Sequence, residues 1–207
     1  PGNNDPAVYS VTQGERFAPM LEAFDNTGNI TKFEITNLPN GVTATNLNTK
    51  FPKGNNYIET NTFGPATFTG NVPSNQDPGT YTSEIKVNDG VTGDKTYYFK
   101  YKVLPVAPTI TTPRNQGGTL VSTDRSISGT GIAGSTITVT LQDGTTGTTT
   151  VNNQGNWTYT LKQNEKLTQN TKQDATIKVN NAISITQSKN GAESRPATVD
   201  VQLARAI

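Results

Sequence analysis

The residues of this sequence that could bind a metal ion are three aspartates in turn-like segments. Asp25, Asp89 and Asp94 each lie among glycine or asparagine residues, and calcium prefers the oxygen ligands that such loops supply. Aspartate also favours turns for another reason, because its carboxylate accepts hydrogen bonds from the nearby backbone. There is no Asp-x-Asp-x-Asp cluster, so a calcium site and three ordinary turns both stay open. No other cofactor is predicted.

Catalytic side chains are scarce. The chain contains neither histidine nor cysteine, which excludes a histidine general base, a thiol nucleophile, a disulfide and an ordinary zinc site. The acids are scattered, and no serine, threonine or aspartate lies in a nucleophile elbow or a triad-like spacing. A glycosidase with two distant carboxylates is the alternative that spacing leaves open. We therefore predict that the protein is not an enzyme.

The side chains best placed to recognise a ligand lie in two segments of alternating polarity. Such alternation, with a period of two residues, predicts half-buried strands. Tyr98, Lys86 and Lys100 fall on the open faces of these strands, with Thr82 and Glu84. The opposite faces consist of Tyr81, Ser83, Ile85 and Val87 in one strand and Tyr97, Phe99, Tyr101 and Val103 in the other. Of these residues, Tyr97, Phe99 and Tyr101 are predicted to fill the core or the sheet face.

The composition predicts how these strands are held. Only 31% of the residues are hydrophobic and 16% are charged, while glycine, proline, threonine and asparagine are frequent. Threonine favours strands, whereas asparagine and glycine favour turns. About seven short strands in each half, with turns every 8–12 residues, indicate immunoglobulin-like β-sandwiches. Residues 17–24 are predicted as a strand, residues 42–65 as irregular apart from 57–60, and residues 162–173 as a loop.

A domain boundary is predicted where a strand runs into two prolines, Pro105 and Pro108. Proline fixes the backbone and ends strand pairing, so a short linker of this kind is stiff. All seven phenylalanines and six of the seven tyrosines precede the boundary, and Trp157 is expected to fill the core of the second domain. The predicted fold is all-β, with two tandem immunoglobulin-like sandwiches over residues 1–105 and 106–207.

Charge and hydropathy exclude several partners. The formal net charge is +1 at pH 7, and no basic stripe with interleaved aromatic rings is present, so no nucleic acid is predicted to bind. No stretch of 18 apolar residues is present, so no membrane insertion is predicted. The sequence shows no signal peptide, sorting signal or lipidation signal, and we expect a monomeric module from the middle of a larger protein. An intramolecular Lys–Asn isopeptide bond stays open.

Several segments carry a resemblance to a known family. Residues 79–90 and 96–105 resemble the last two strands of bacterial Ig/cadherin-like repeats, and Leu38–Gly41 resembles a turn of those domains. Residues 128–157 look like a bacterial Ig-like repeat. Together the two halves are similar to the ligand-binding region of streptococcal serine-rich-repeat adhesins. That resemblance implies a V-set, Siglec-like first domain that binds sialylated O-glycans of host cell-surface, salivary or plasma glycoproteins.

The resemblance also implies a site. In that family an aromatic-Thr-Arg-x motif on the next-to-last strand contacts the glycan, and the matching residues here are Tyr81-Thr82-Ser83-Glu84. A serine replaces the arginine, and losing one charge-assisted hydrogen bond removes about 1.5–3 kcal/mol. Lys86, Lys100 and Tyr98 are candidates to compensate. A shifted alignment, an engineered Arg-to-Ser change and a ligand without sialic acid stay open as explanations.

Three functions follow for a module displayed on a Gram-positive cell surface and anchored to the wall through other parts of the protein. The first is binding of host glycans by the first domain, with the second as support. The second is a stalk that only extends another domain. The third is adhesion to matrix proteins or to a second copy through an exposed sheet edge. A concave polar site near residues 81–84 favours the first, its absence favours the stalk, and an unpaired outer strand favours the third.

Overall fold

A computed structural model describes residues 8–24, 30–45, 50–52, 58–112, 118–169 and 182–204. Over these ranges the backbone forms strands and turns and no helix, which confirms the predicted all-β class. Within the same ranges, no helical segment has the length and apolar character needed to span a membrane. The chain divides into two compact units, Pro1–Leu104 (unit 1) and Pro105–Ile207 (unit 2).

Unit 1 is organised around a four-stranded sheet in the order β1-β9-β8-β3. Strand β8 pairs along its whole length with β9, and its other side pairs with β3. Smaller sheets, β2-β6-β5 and β4-β7, complete the unit. The strands are β1 (Tyr9–Thr12), β2 (Ala23–Phe24), β3 (Lys32–Thr36), β4 (Thr43–Thr45), β5 (Lys50–Pro52), β6 (Ile58–Phe63), β7 (Thr67–Thr69), β8 (Gly79–Asn88) and β9 (Asp94–Leu104).

The core of unit 1 is aromatic at its centre. The Phe17 ring is fully buried and meets the rings of Tyr9, Phe68 and Tyr101 at centroid distances of 5.1–5.4 Å, edge to face. Such contacts add to the gain from area burial. The predicted strand over residues 17–24 is wrong for most of its length, since only Ala23–Phe24 is a strand. The apolar side chain of Phe17 correctly indicates a buried residue, but it does not indicate a residue that lies in a strand.

Two further predictions for unit 1 need correction. Residues 42–65 are predicted to be irregular apart from a strand at 57–60. Strand β6 covers most of that predicted strand, but β4 and β5 also lie in this range. Tyr97 was expected to fill the core with Phe99 and Tyr101. It is 54% exposed, because the hairpin of β8 and β9 extends past the core at this end. Tyr97 instead forms part of the wall of an apolar cavity of about 430 Å³.

Unit 2 contains two main sheets, β10-β12-β15 and β14-β13-β16-β17, with β18 also paired to β16 and β11 paired to β19. Residues 170–173 of the predicted loop lie outside the described residues. The strands are β10 (Thr109–Ile110), β11 (Leu120–Val121), β12 (Ser126–Thr130), β13 (Thr136–Thr140), β14 (Thr146–Thr150), β15 (Asn156–Thr160), β16 (Ile183–Lys189), β17 (Ala192–Glu193), β18 (Ala197–Val199) and β19 (Val201–Gln202).

Trp157 is only 3% exposed and packs in the core of unit 2, as predicted. Its indole N–H donates to the backbone oxygen of Thr130 at 3.1 Å, so the polar atom is not left unpaired. The ring lies against Gly129, where a Cβ atom would come within 2.5 Å of it. A glycine in the facing strand β12 therefore makes room for the largest side chain of the core.

Buried polar groups fix the loops of unit 2. The Gln187 side chain is 1% exposed; its Nε2 donates to the Val106 oxygen, and its Oε1 accepts from the Ile132 N–H. Glu165 accepts hydrogen bonds from the Tyr159 hydroxyl and the Lys162 N–H. Because the Gln187 and Glu165 side chains are both paired, the cost of their desolvation is offset. The loop after β15 is thereby fixed without a helix over residues 162–169.

Candidate functional site

The predicted site residues lie on two different faces of the sheet of unit 1. Thr82 lies directly opposite Lys100, and Glu84 lies directly opposite Tyr98. Residues paired in this way have their side chains on the same face of the sheet. Lys86 follows on that face, which points away from the core, and Tyr98 is 70% exposed there. We call Thr82, Glu84, Lys86, Tyr98 and Lys100 the outer patch.

Ser83 lies on the core face and is fully buried, at 0% exposed. Its hydroxyl donates to the backbone oxygen of Asn37 at 3.1 Å. The side chain therefore has no surface to offer a ligand, in contrast to the exposed arginine that the resemblance implies at this position. Its structural role is to hold the turn that begins at Asn37 against β8.

Tyr81 is the other predicted residue on the core face, and it is only partly buried. Its ring stacks on that of Tyr101, with centroids 5.6 Å apart and an interplanar angle of 15°. Its hydroxyl donates to the backbone oxygen of Asp77 at 2.5 Å. Burial raises the pKa of the Tyr101 phenol. The two stacked rings form a rigid wall at the start of β8.

A groove of about 380 Å³ opens beside this wall, and we call it the Tyr81 groove. One side is the turn after β3 and the other is the loop before β8. No charged residue belongs to its lining, which is rich in amides and also contains two prolines. The lining residues are Asn37, Leu38, Pro39, Asn40, Pro73, Asn75, Gln76, Tyr81 and Tyr101.

Both loops of the groove are fixed by hydrogen bonds to the rest of unit 1. Asn37 has a positive φ of 63°, a conformation that asparagine tolerates better than most residues. Its side-chain amide donates to the Thr82 oxygen at 2.6 Å, while its backbone oxygen accepts from Ser83. On the other side, Gln13 is buried and donates to the Gln76 oxygen at 2.7 Å. The groove is thus held open by the fold itself.

The groove combines features that suit a neutral polar ligand. The Asn40 and Asn75 side chains are exposed, and an amide offers both a donor and an acceptor in one plane. The tyrosine rings and the prolines supply apolar surface. Sequence reasoning pointed to Tyr81 and to the loops that flank its strand, residues 38–65 and 70–78, but it did not indicate which residues of these loops meet. Only the loop geometry joins these distant segments.

Two of the aspartates considered for calcium, Asp89 and Asp94, accept hydrogen bonds from neighbouring residues of the β8–β9 hairpin. Asp89 accepts hydrogen bonds from the Val91 and Thr92 backbone N–H groups and from the Thr92 hydroxyl. These bonds lower the pKa of Asp89 to about 2. Asp94 accepts a hydrogen bond from the Asn88 amide, which lowers its pKa, and the Lys32 ammonium adds to the shift.

Each carboxylate therefore stabilises the β8–β9 hairpin through its own hydrogen bonds. Across the described part of the chain, no group of three or more acidic residues lies close enough to hold a metal ion. The third candidate, Asp25, lies outside the described residues.

The second half of the chain is similar in sequence to a family of bacterial domains. Residues 107–202 match the family described as Bacterial Ig domain. No curated protein matches the chain in sequence. Among solved structures, a chain described as the BSP domain of a biofilm associated protein is similar at 22% identity and a TM-score of 0.36. The match covers 69% of this chain and 22% of that one. Unit 2 is therefore similar to a bacterial Ig domain over nearly its whole length, in agreement with the predicted immunoglobulin-like fold class.

Proposed function

We propose that this chain is a non-enzymatic adhesion module of a bacterial surface protein and that unit 1 binds glycans of host glycoproteins in the Tyr81 groove. The observation that carries the proposal is the groove itself: a preformed, amide-lined concavity beside a tyrosine ring, in a chain that has no catalytic motif. Ligand sites in proteins are concave, largely preformed and of a few hundred Å³. At about 380 Å³, the groove accommodates one or two sugar rings.

The chemistry of the lining favours a sugar. A sugar ring presents hydroxyl groups around its edge and C–H groups on its faces. The exposed amides of Asn40 and Asn75 can each pair with hydroxyl groups as donor and acceptor, while the Tyr81 ring offers an apolar surface for a sugar face. Because the loops are already fixed, little conformational entropy is lost when the ligand binds.

The electrostatics of the lining favour the uncharged sugars of such a glycan. A carboxylate such as that of sialic acid is best recognised by a guanidinium group, and no cation lines the groove. Lys86 and Lys100 belong to the outer patch, on the opposite face of the sheet. A sialylated O-glycan would then be held through its neutral sugars, and removal of its sialic acid would leave binding largely intact.

A glycan array probed with the intact chain tests the proposal. We expect Asn75→Ala to weaken the binding of any bound glycan by about ten-fold, the loss of one or two hydrogen bonds, and Asn40→Ala to act in the same direction. Tyr98→Ala is the matched control, because it removes an exposed ring from the outer patch and leaves the groove unchanged.

The proposal is overturned if no glycan binds, and the stalk function then takes its place. It is also overturned if Tyr98→Ala abolishes binding while both asparagine variants retain it, since the outer patch is then the site. Treatment of the glycans with sialidase separates the two kinds of ligand: binding that disappears with the sialic acid contradicts a neutral groove. On this proposal the module is displayed outside the cell, and other parts of the protein anchor it to the wall.

A further inference from the structure

Strand β14 of unit 2 is an edge strand with a free row of backbone hydrogen-bonding groups. It lies at one end of the strand order β14-β13-β16-β17, with a neighbouring strand on one side. The bonds that flank its pairing with β13 run from the Leu141 N–H to the Thr145 oxygen and from the Val151 N–H to the Ser135 oxygen. In an antiparallel pair such bonds occur at every second residue. The backbone N–H and C=O groups of Gly147 and Thr149 therefore point toward β13.

The remaining residues of β14 point their backbone groups the other way. These are Thr146, Thr148 and Thr150, and all three are exposed. Their N–H and C=O groups form a template at which another strand can pair. Five residues is an ordinary strand length, so the edge is long enough to pair in register.

The usual protection of an edge is missing from β14. Proteins block such edges with lysine, proline, a bulge or a very short strand. Several other edges in the described ranges carry these devices: β3 contains Lys32, β17 is two residues long and contains Glu193, and β10 follows Pro108. By contrast, residues 144–161 contain neither a charged residue nor proline. This stretch includes all of β14 and also β15, the end strand of the order β10-β12-β15.

The face of the sheet next to this edge is uncharged over β14 and β13. Thr148 lies opposite Thr138, which lies opposite Thr186, and the rows above and below pair in the same way. The charge on this face lies at its far side, where Glu193 of β17 is opposite Ser188 and accepts a hydrogen bond from the Thr186 hydroxyl. No two like charges are therefore directly opposite each other among these rows, an arrangement that would destabilise paired strands. The residues of this face are Thr136, Thr138, Thr140, Thr146, Thr148, Thr150, Ser184, Thr186, Ser188, Glu193 and Thr198.

We propose that β14 pairs antiparallel with β14 of a second copy of this chain, about a two-fold axis at Thr148. Thr148 then faces its own counterpart, and Thr146 faces Thr150 in both directions. Each of these three residue pairs exchanges two hydrogen bonds, which gives about six between the copies. A second copy is the favoured partner because the edge is self-complementary: it is neutral and places threonine opposite threonine.

The contact between two copies is small. Stable interfaces usually bury more than about 1,000 Å², and one pair of five-residue strands buries less. The association is therefore weak for isolated chains and becomes effective when many copies are presented on adjoining surfaces. Its role is homophilic adhesion by unit 2, which is independent of glycan binding by unit 1.

Sedimentation of the intact chain at increasing concentration tests this pairing. We expect a reversible dimer at concentrations approaching about 1 mM, with slower hydrogen exchange at the Thr146, Thr148 and Thr150 amides as it forms. Thr148→Pro removes an outward donor and blocks the edge, so dimerisation is expected to weaken by at least about ten-fold. The fold should tolerate this change, because proline is accepted where the N–H faces solvent at an edge.

Two further variants keep the test independent of folding. Thr148→Lys places two positive charges opposite each other at the two-fold axis, whereas Thr138→Lys puts the same charge one strand away from the edge as a matched control. We expect dimerisation to be lost in the first and retained in the second. A chain that stays monomeric at about 1 mM overturns the proposal. So does a dimer that both Thr148 variants leave unchanged, or one that Thr138→Lys weakens equally.

Discussion

Ser83 offers the sharpest test of how the Tyr81 groove is built. The resemblance to serine-rich-repeat adhesins implies an arginine at this position, so Ser83→Arg would restore the expected ligand contact if the side chain faced a glycan. In the structure the side chain is 0% exposed and is bonded to Asn37. The two arrangements therefore predict opposite results for the same substitution.

The magnitudes follow from the environment of Ser83. Ser83→Ala removes one hydrogen bond of 3.1 Å to the Asn37 oxygen, which costs about 1 kcal/mol. For a unit of this size, that lowers the melting temperature by about 4–8 °C. Ser83→Arg buries a charge without a partner, and such a charge costs about 3–5 kcal/mol. The expected fall is then about 12 °C or more.

The distribution of aromatic residues makes the assay specific to each unit. The single tryptophan, Trp157, lies in unit 2, while six of the seven tyrosines lie in unit 1. Tryptophan fluorescence therefore follows the unfolding of unit 2, and the near-ultraviolet circular dichroism of tyrosine is dominated by unit 1. We expect both Ser83 variants to shift the tyrosine transition and leave the tryptophan transition in place. If Ser83→Arg folds as stably as the natural chain and gains binding to sialylated glycans, the inward orientation of Ser83 and the groove built on it are refuted.

Two further predictions concern unit 2. Gly129→Ala should lower its stability by about 3 kcal/mol or more, because the new Cβ would lie 1.8 Å from the Thr109 backbone oxygen and 2.5 Å from the Trp157 ring. Gly134→Ala is the control: its new Cβ meets open space, so the only cost is that of its φ of +83°, about 1–2 kcal/mol. An equal loss of stability in both variants would contradict the packing at Gly129. Burial and the neighbouring Glu165 carboxylate raise the pKa of Tyr159 to about 12 from an ordinary value of 10.0, so the unfolded chain releases this proton first. The stability of unit 2 should therefore fall as the pH rises from 10.0 to about 12, and Tyr159→Phe should remove that part of the pH dependence of Trp157 fluorescence.

Much of the fold could be predicted because local pattern and burial agree. The alternation around Ile85 and Tyr101 indicates the faces of β8 and β9 correctly, since one face of this pair packs against a core. Trp157 is buried, as the preceding turn and the scarcity of aromatic residues in that half predict. The prediction of strands fails where a residue is buried without belonging to a strand. Phe17 is fully buried, but it lies outside the strands of unit 1.

The site was harder to predict because it depends on how loops meet. Sequence similarity pointed to residues 81–84, but the alternation of a strand sends Thr82 and Glu84 to one face and Tyr81 and Ser83 to the other. The four side chains of residues 81–84 therefore cannot all contact one ligand on a single face of the sheet. The groove instead arises where residues 37–40 and 73–76 meet. The sequence places both segments in loops that flank the candidate strand, but no local pattern indicates which of their residues come together.

The parallel pairing of β1 with β9 has a mechanical consequence. Tyr9 lies beside Tyr101 and Thr12 beside Leu104, so the chain enters unit 1 at one end of this strand pair and leaves it at the other. Tension applied along the chain would slide the two strands past each other and load their hydrogen bonds together, in shear, instead of opening them one at a time. In unit 2, β11 and β19 are also parallel. Both units thus contain a parallel strand pair, an arrangement that resists extension when the chain is pulled along its length.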